Sequence, residues 1–99
     1  MTTAAAVAVL GLGAMGLPMA MNLAERFPVR GFDVVAERRA LAERAGVVPT
    51  GTAAEAVAGA DVVLIAVRDR AQLEQLLFGE TGIAPHMARG AVVLLTSTV

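Results

Sequence analysis

The chain has 99 residues, enough for one domain, and its 57% hydrophobic and 3% aromatic content suits a core of parallel strands buried on both faces. Its formal net charge of −1, without a basic stripe, argues against nucleic acid or an anionic membrane surface as a partner. The chain has no cysteine, which excludes disulfides and thiol chemistry and fits a cytoplasmic protein. The uncharged stretch Met1–Ala24 has the length of a membrane span, but three glycines, Pro18 and Asn22 interrupt it, so we expect a strand, a turn and a helix instead.

Apolar runs alternate with helical patterns along the chain, which is typical of βαβ units around a parallel sheet. The five predicted strands are, in order, Ala5–Leu10, Val29–Phe32, Val47–Val48, Val62–Val67 and Ala91–Leu95. The predicted helices are Met15–Arg26, Ala36–Ala45, a segment from the capping box Thr52–Glu55 to Gly59, Arg70–Phe78, and a short piece that ends near Met87. Connection rules then predict a Rossmann-type α/β fold, a doubly wound parallel sheet of order 3-2-1-4-5 with helices on both faces.

The first strand leads directly into three glycines, Gly11, Gly13 and Gly16, spaced as G-x-G-x-x-G at the start of a helix. Glycine allows the tight turn at 11, a close approach of phosphate to the backbone at 13, and close packing of the helix on the strand at 16. Unpaired amides at the helix start carry the positive end of its dipole, so this turn is predicted to hold a dinucleotide diphosphate. The predicted contacts with the cofactor are Gly11, Leu12, Gly13, Ala14, Met15 and Gly16.

Asp33 follows the second strand, where a dinucleotide-binding fold has an acidic residue that accepts hydrogen bonds from the adenosine ribose. A carboxylate there repels a 2′-phosphate, which favours NAD over NADP as the cofactor. Arg38 and Arg39 follow in the next helix and are able to cradle that phosphate, so NADP stays open as the less favoured alternative. The alternative is that Asp33 is a residue at the end of the strand without a role in ligand binding.

The carboxyl ends of the predicted strands meet at one edge of the sheet. Ligands bind there, in the crevice where the strand order reverses, here between strands one and four. The glycine turn, Asp33, the loop at Arg68–Asp69 and the segment Thr96–Val99 all reach that edge. Val67 and Arg68, at the end of strand four, are therefore predicted to contact the cofactor as well. This convergence is the main physical reason to predict a cofactor-binding domain.

The run Val9–Leu23 resembles the β-hydroxyacid dehydrogenase family, which includes 3-hydroxyisobutyrate dehydrogenase and L-threonate dehydrogenase. That family's signature is an apolar pair followed by G-L-G-x-M-G and M-A-x-N-L, and the run matches it closely. Ser97 and Thr98 match the end of the family's D-x-S-T segment, with Leu95 in place of the acidic residue, and Arg68 stands where the family often has proline. The resemblance implies that Ser97 and Thr98 bind the substrate and that Thr98 also contacts the cofactor.

The same resemblance implies an NAD-dependent oxidoreductase that transfers a hydride between the nicotinamide and a 3-hydroxyacid. The segment Leu77–Gly82 resembles the L-threonate branch in particular. The resemblance covers residues 1–99 as an NAD(P)-binding domain only, whereas the family's catalytic lysine lies in an all-helical second domain, and every basic residue of this chain is an arginine. We therefore expect an incomplete enzyme, inactive by itself, whose full-length form acts on a small β-hydroxyacid.

Two alternatives from other classes stay open. One is a non-catalytic nucleotide-binding or interaction module that acts with a partner chain. The other is an S-adenosylmethionine methyltransferase, although glycine loops of that class lack the Met-Gly-x-x-Met-Ala continuation.

His86, the single histidine, has no metal ligand or triad partner among its neighbours and is predicted to be a surface residue. The apolar segment Ala91–Val99 is predicted to be exposed at the edge of the sheet. Two copies of the chain could associate through that edge as a homo-oligomer.

Overall fold

A computed structural model describes residues 5–67, 70–79 and 82–96 of the chain. These residues form a five-stranded parallel sheet with the strand order β3-β2-β1-β4-β5. The elements are β1 (Val7–Leu10), α1 (Gly16–Ala24), β2 (Val29–Phe32), α2 (Ala36–Arg44), β3 (Val48–Pro49), α3 (Ala53–Val57), β4 (Val62–Ile65), α4 (Arg70–Phe78), a 3₁₀-helix (Ala84–His86) and β5 (Val92–Leu95). The predicted α/β fold and its strand order are confirmed.

The central strand β1 separates two hydrophobic layers, because successive side chains of a strand point to opposite faces of the sheet. Val9 belongs to one layer together with Ala20 of α1. Leu10 belongs to the other, together with Ala56 of α3 and Ile83 before the 3₁₀-helix. All four residues of β1 are buried, which explains why the strand appears in the sequence as a continuous apolar run.

The carboxyl ends of four strands lie level with one another. Leu10 of β1 is the register partner of both Phe32 of β2 and Ile65 of β4, and Ile65 is in turn the partner of Leu95 in β5. The residues that follow these strands, among them Asp33, therefore meet at one edge of the sheet.

Four strands have bounds different from those predicted. β1 begins at Val7 and not at Ala5, and β5 begins at Val92 and not at Ala91. β4 ends at Ile65 and not at Val67. The last bond to β1 comes from the Ala66 amide to the Leu10 carbonyl, at 2.9 Å, and the chain leaves the sheet after it. β3 includes Pro49, which the sequence pattern excluded. Proline is tolerated there because β3 is an edge strand, and the next ladder bond comes from the Thr50 amide to the Gly31 carbonyl, at 3.0 Å.

The opposite edge strand, β5, is exposed along its whole length although it pairs with β4 residue by residue. Its side chains are all apolar, and Leu94 borders an apolar groove that also involves Leu64 and Phe27. The predicted apolar surface is thus present over Val92–Leu95, whereas residues 97–99 lie outside the described residues. Within the described ranges, no helix has the length and hydropathy needed to cross a membrane.

Candidate functional site

The chain turns from β1 into α1 through two glycines that the fold itself requires. Gly11 has a φ of +95°, and a Cβ built on it would overlap the carbonyl oxygen of Ala66. A Cβ on Gly16 would overlap the carbonyl oxygen of Gly11. A side chain at either position would push the turn away from β4 or α1 away from β1, so these two glycines make the tight turn possible.

Gly13, the middle glycine, is in a different situation. The nearest atom to a Cβ built on Gly13 is Nη1 of Arg38, at 3.5 Å, which is an ordinary van der Waals contact. The packing of the protein therefore does not require glycine at this position. Gly13 instead lines a cleft, where its bare backbone leaves room for a ligand to come close.

The start of α1 presents unpaired hydrogen-bond donors to this cleft. Ala14 and Met15 are exposed, and their amides bond to none of the described residues. The Leu17 amide does have a partner, the Gly13 carbonyl at 3.0 Å, and no side chain among the described residues caps the helix. The two free amides lie at the positive end of the helix dipole, so an anionic group in the cleft can accept hydrogen bonds from them.

Asp33 lies at the end of β2 and is only 6% exposed. Its Oδ2 accepts a hydrogen bond from the Leu12 amide, at 2.7 Å, and its Oδ1 accepts one from the Val35 amide, at 2.8 Å. The carboxylate therefore ties the glycine turn to the start of α2. Because an ionised carboxylate has about four lone-pair positions, these two bonds leave acceptor capacity for a ligand hydroxyl.

The glycine turn and the end of β2 form one wall of a cleft of about 1540 Å³. The other wall comes from the start of α3, the residues after β4 and one face of α4. Ligand pockets usually have volumes of roughly 300–1,000 Å³, so this cleft has room for a long ligand that runs along the sheet edge.

The sequence from residue 6 to residue 99 matches the family model described as the NAD binding domain of 6-phosphogluconate dehydrogenase. The chain belongs to this family.

Relatives of this NAD-binding domain are named as oxidoreductases. The 3-sulfolactaldehyde reductase of Escherichia coli K12 is 36% identical over 97 residues, and the L-threonate dehydrogenase of Cupriavidus necator is 38% identical over 94 residues. These alignments cover 96% and 94% of this chain but 32% of each relative. The solved structure of Mycobacterium tuberculosis 3-hydroxyisobutyrate dehydrogenase has a TM-score of 0.87 at 31% identity and covers 97% of this chain and 32% of that one. The predicted resemblance is confirmed, and the chain spans about a third of the length of the curated relatives it matches.

In this NAD-binding domain, most of the predicted cofactor contacts line the cleft. They are Gly11, Gly13, Ala14, Met15, Gly16, Asp33 and Val67. Leu12 differs from them, because its side chain is fully buried in the core and its amide is bonded to Asp33. The backbone on either side of Leu12 therefore faces the cleft, and Leu12 itself anchors the turn.

Three predicted site residues, Arg68, Ser97 and Thr98, lie outside the described residues, so their roles stay predictions. The residue before Ser97 is described. The Thr96 amide donates to the Ile65 carbonyl at 3.1 Å, and its Oγ1 donates to the same oxygen at 3.3 Å. These bonds continue the pairing of β5 with β4.

Apart from Val67, the sequence pattern did not reveal the second wall of the cleft. His86 is exposed, as predicted, but it borders the cleft together with Thr52, Ala53, Ala71, Gln75 and Leu76. These residues form no ligand-binding motif, since Thr52 was noted only as a helix cap and His86 only as a surface residue. The helix α4 is brought to the cleft by contacts distant from the motif, such as the bond from the Ile83 amide to the Leu76 carbonyl, at 2.8 Å.

Proposed function

We propose that this chain is the dinucleotide-binding domain of an NAD-dependent β-hydroxyacid dehydrogenase. In the full-length enzyme, the nicotinamide would exchange a hydride with a 3-hydroxyacid. The observation that carries this proposal is the arrangement of two amides, at Ala14 and Met15, beside a buried carboxylate, Asp33, on one wall of the cleft. Neither amide has a hydrogen-bond partner within the described part of the chain. The family membership supports the same proposal.

The residues of the cleft fit a dinucleotide. The diphosphate would accept hydrogen bonds from the amides of Ala14 and Met15, and it would approach the backbone at Gly13, where no side chain intervenes. The adenosine ribose hydroxyls would donate to Asp33, which keeps free lone pairs after bonding to two amides. Val67 would contact the same molecule from the opposite wall, with Arg68 beside it in the chain.

NAD is proposed in preference to NADP. A ribose hydroxyl can donate a hydrogen bond to Asp33, whereas a 2′-phosphate is an acceptor and carries negative charge towards a buried carboxylate. The carboxylate cannot easily turn away, because both of its oxygens are held by backbone amides.

The substrate of the full-length enzyme is proposed to be a small β-hydroxyacid, as the relatives named L-threonate dehydrogenase and 3-hydroxyisobutyrate dehydrogenase suggest. Ser97 would donate a hydrogen bond to its carboxylate, with Thr98 next to it at the nicotinamide. This chain contains no lysine to serve as the general acid or base that the family resemblance implies, so we propose that this group lies outside the 99 residues.

Calorimetric titration of the 99-residue chain with NAD⁺ and with S-adenosylmethionine tests the class of cofactor. We expect saturable binding of NAD⁺ and no binding of S-adenosylmethionine. Binding of S-adenosylmethionine without NAD⁺ would reject the proposal in favour of a methyltransferase. In a separate assay, the chain is mixed with NAD⁺ and either L-threonate or 3-hydroxyisobutyrate, and we expect no NADH absorbance. Turnover there would contradict the absence of a catalytic group.

A further inference from the structure

The readily oxidised side chains of this protein are almost all methionines. The sequence contains five methionines but no cysteine, tryptophan or tyrosine, which are other side chains that oxidants attack. A methionine thioether is oxidised to the sulfoxide, and reductases reverse this change. A peroxide is therefore expected to react with those methionines whose side chains are accessible to solvent.

The described methionines differ in their exposure. Met19 and Met87 are half-buried, and each packs against one of the two hydrophobic layers. Met15 is 49% exposed and Met21 is 43% exposed, so a small oxidant reaches both of them. Met15 directly precedes α1 and Met21 lies within it. Solvent access alone therefore does not distinguish these two residues.

Met15 and Met21 differ in their position relative to the cleft. Met15 lines the cleft, and its amide has no partner among the described residues. Within residues 11–16, all of which the structure describes, Met15 has the one long side chain that borders the cleft. Met21 does not line the cleft. A chemical change at Met15 therefore alters the proposed diphosphate site, whereas the same change at Met21 does not.

We propose that Met15 is an oxidation site through which hydrogen peroxide lowers the affinity of this chain for its dinucleotide. This inference rests on the proposed function. The sulfur lone pair attacks one oxygen of the peroxide, and the O–O bond breaks. The departing hydroxide takes up the proton of the transferred oxygen and leaves as water. The thioether is thus oxidised to the sulfoxide, and the peroxide is reduced to water.

The sulfoxide changes the chemistry of the glycine turn. Its oxygen is a strong hydrogen-bond acceptor with partial negative charge, whereas the thioether is apolar and only a weak acceptor. On Met15 this oxygen would lie near the amides of Ala14 and Met15, which are proposed to bind the diphosphate. The methionine side chain is flexible, so the sulfoxide either accepts hydrogen bonds from these amides or repels the phosphate oxygens beside them. Conversely, a bound dinucleotide covers the Met15 side chain and slows its oxidation.

The test treats the 99-residue chain with hydrogen peroxide, with and without saturating NAD⁺, and locates the sulfoxides by peptide mass spectrometry. We expect Met15 and Met21 both to be oxidised in the free chain, and NAD⁺ to slow the oxidation of Met15 but not of Met21. After the peroxide is removed, calorimetry should show NAD⁺ binding weakened about tenfold or more, as for the loss of one hydrogen bond to a charged group. Methionine sulfoxide reductases should restore the affinity.

Two variants assign the loss of affinity to one residue. Met15→Leu keeps the backbone amide and an apolar side chain but lacks the sulfur, and its own affinity for NAD⁺ is compared before and after peroxide treatment. We expect peroxide to leave the affinity of Met15→Leu unchanged. Met21→Leu is the matched control and should lose affinity on treatment as the unaltered chain does. Circular dichroism checks that each treated chain is folded.

The outcomes separate this inference from the proposed function. If the untreated chain does not bind NAD⁺, both fail together. If it binds NAD⁺ and oxidation of Met15 leaves the affinity unchanged, the role of Met15 is rejected and the proposed function stands. The same conclusion follows if peroxide weakens binding equally in Met15→Leu and in the unaltered chain. An absence of sulfoxide at Met15, or equal protection of Met15 and Met21 by NAD⁺, would likewise reject the role of Met15.

Discussion

Replacement of Gly13 by alanine separates the binding role of the glycine turn from its structural role. The added methyl group would lie 3.5 Å from Nη1 of Arg38, without overlap, and the backbone at Gly13 does not have a positive φ. We therefore expect Gly13→Ala to fold, with a free energy of unfolding unchanged or raised by about 0.4–1 kcal/mol through a less flexible unfolded chain. Gly16→Ala is the contrast, because its Cβ would overlap the Gly11 carbonyl oxygen, and overpacking of this kind costs roughly 1–3 kcal/mol or more.

The effect of Gly13→Ala on binding should be large. The methyl group would keep the diphosphate from the amides of Ala14 and Met15, and a hydrogen bond to a charged group contributes about 1.5–3 kcal/mol. Since about 1.4 kcal/mol corresponds to a tenfold change, the affinity for NAD⁺ should fall roughly 10- to 150-fold. Calorimetry with NAD⁺ measures this change, and thermal melting followed by circular dichroism confirms the fold. Unchanged affinity in a variant that melts normally would refute the position proposed for the diphosphate.

Three further changes test individual contacts. Asp33→Asn leaves one backbone amide without its acceptor and should destabilise the chain by about 1–3 kcal/mol. The melting temperature should fall well beyond that of Asp61→Asn, in which the asparagine oxygen can still accept the bond from the exposed Ala6 amide. Equal decreases in the melting temperatures of the two variants would contradict a larger contribution of the buried Asp33 carboxylate to stability. Thr52→Ala removes the hydroxyl that caps α3 through the Glu55 amide, at 3.1 Å, and should cost about 0.5–2 kcal/mol in chemical denaturation, while Thr52→Ser should cost much less. Leu94→Glu should reduce binding of an apolar dye and any self-association in sedimentation velocity, and dye binding equal to that of the unaltered chain would exclude the β5 surface as its source.

The strand order was predictable from the local sequence pattern, whereas some of the strand bounds were not. The glycine spacing and the apolar runs were sufficient for the order of the five strands, because connection rules leave few topologies for alternating strands and helices. The third strand was displaced by one residue, because Pro49 was taken to end it. In the predicted strand order the third strand is an edge strand, where proline needs no amide partner. Asp33 was predicted as a ligand for ribose, but its bonds to the Leu12 and Val35 amides were not anticipated.

The sequence by itself determined the turn at Gly11–Gly16 and the parallel sheet around it, because backbone sterics and hydrophobic periodicity are properties of neighbouring residues. Only the tertiary structure decided that Arg38 borders the cleft while Arg39 braces the strand, and that one face of α4 forms the second wall. Those outcomes depend on how each helix is rotated when it packs against the sheet, and that rotation is set by contacts between residues far apart in the chain.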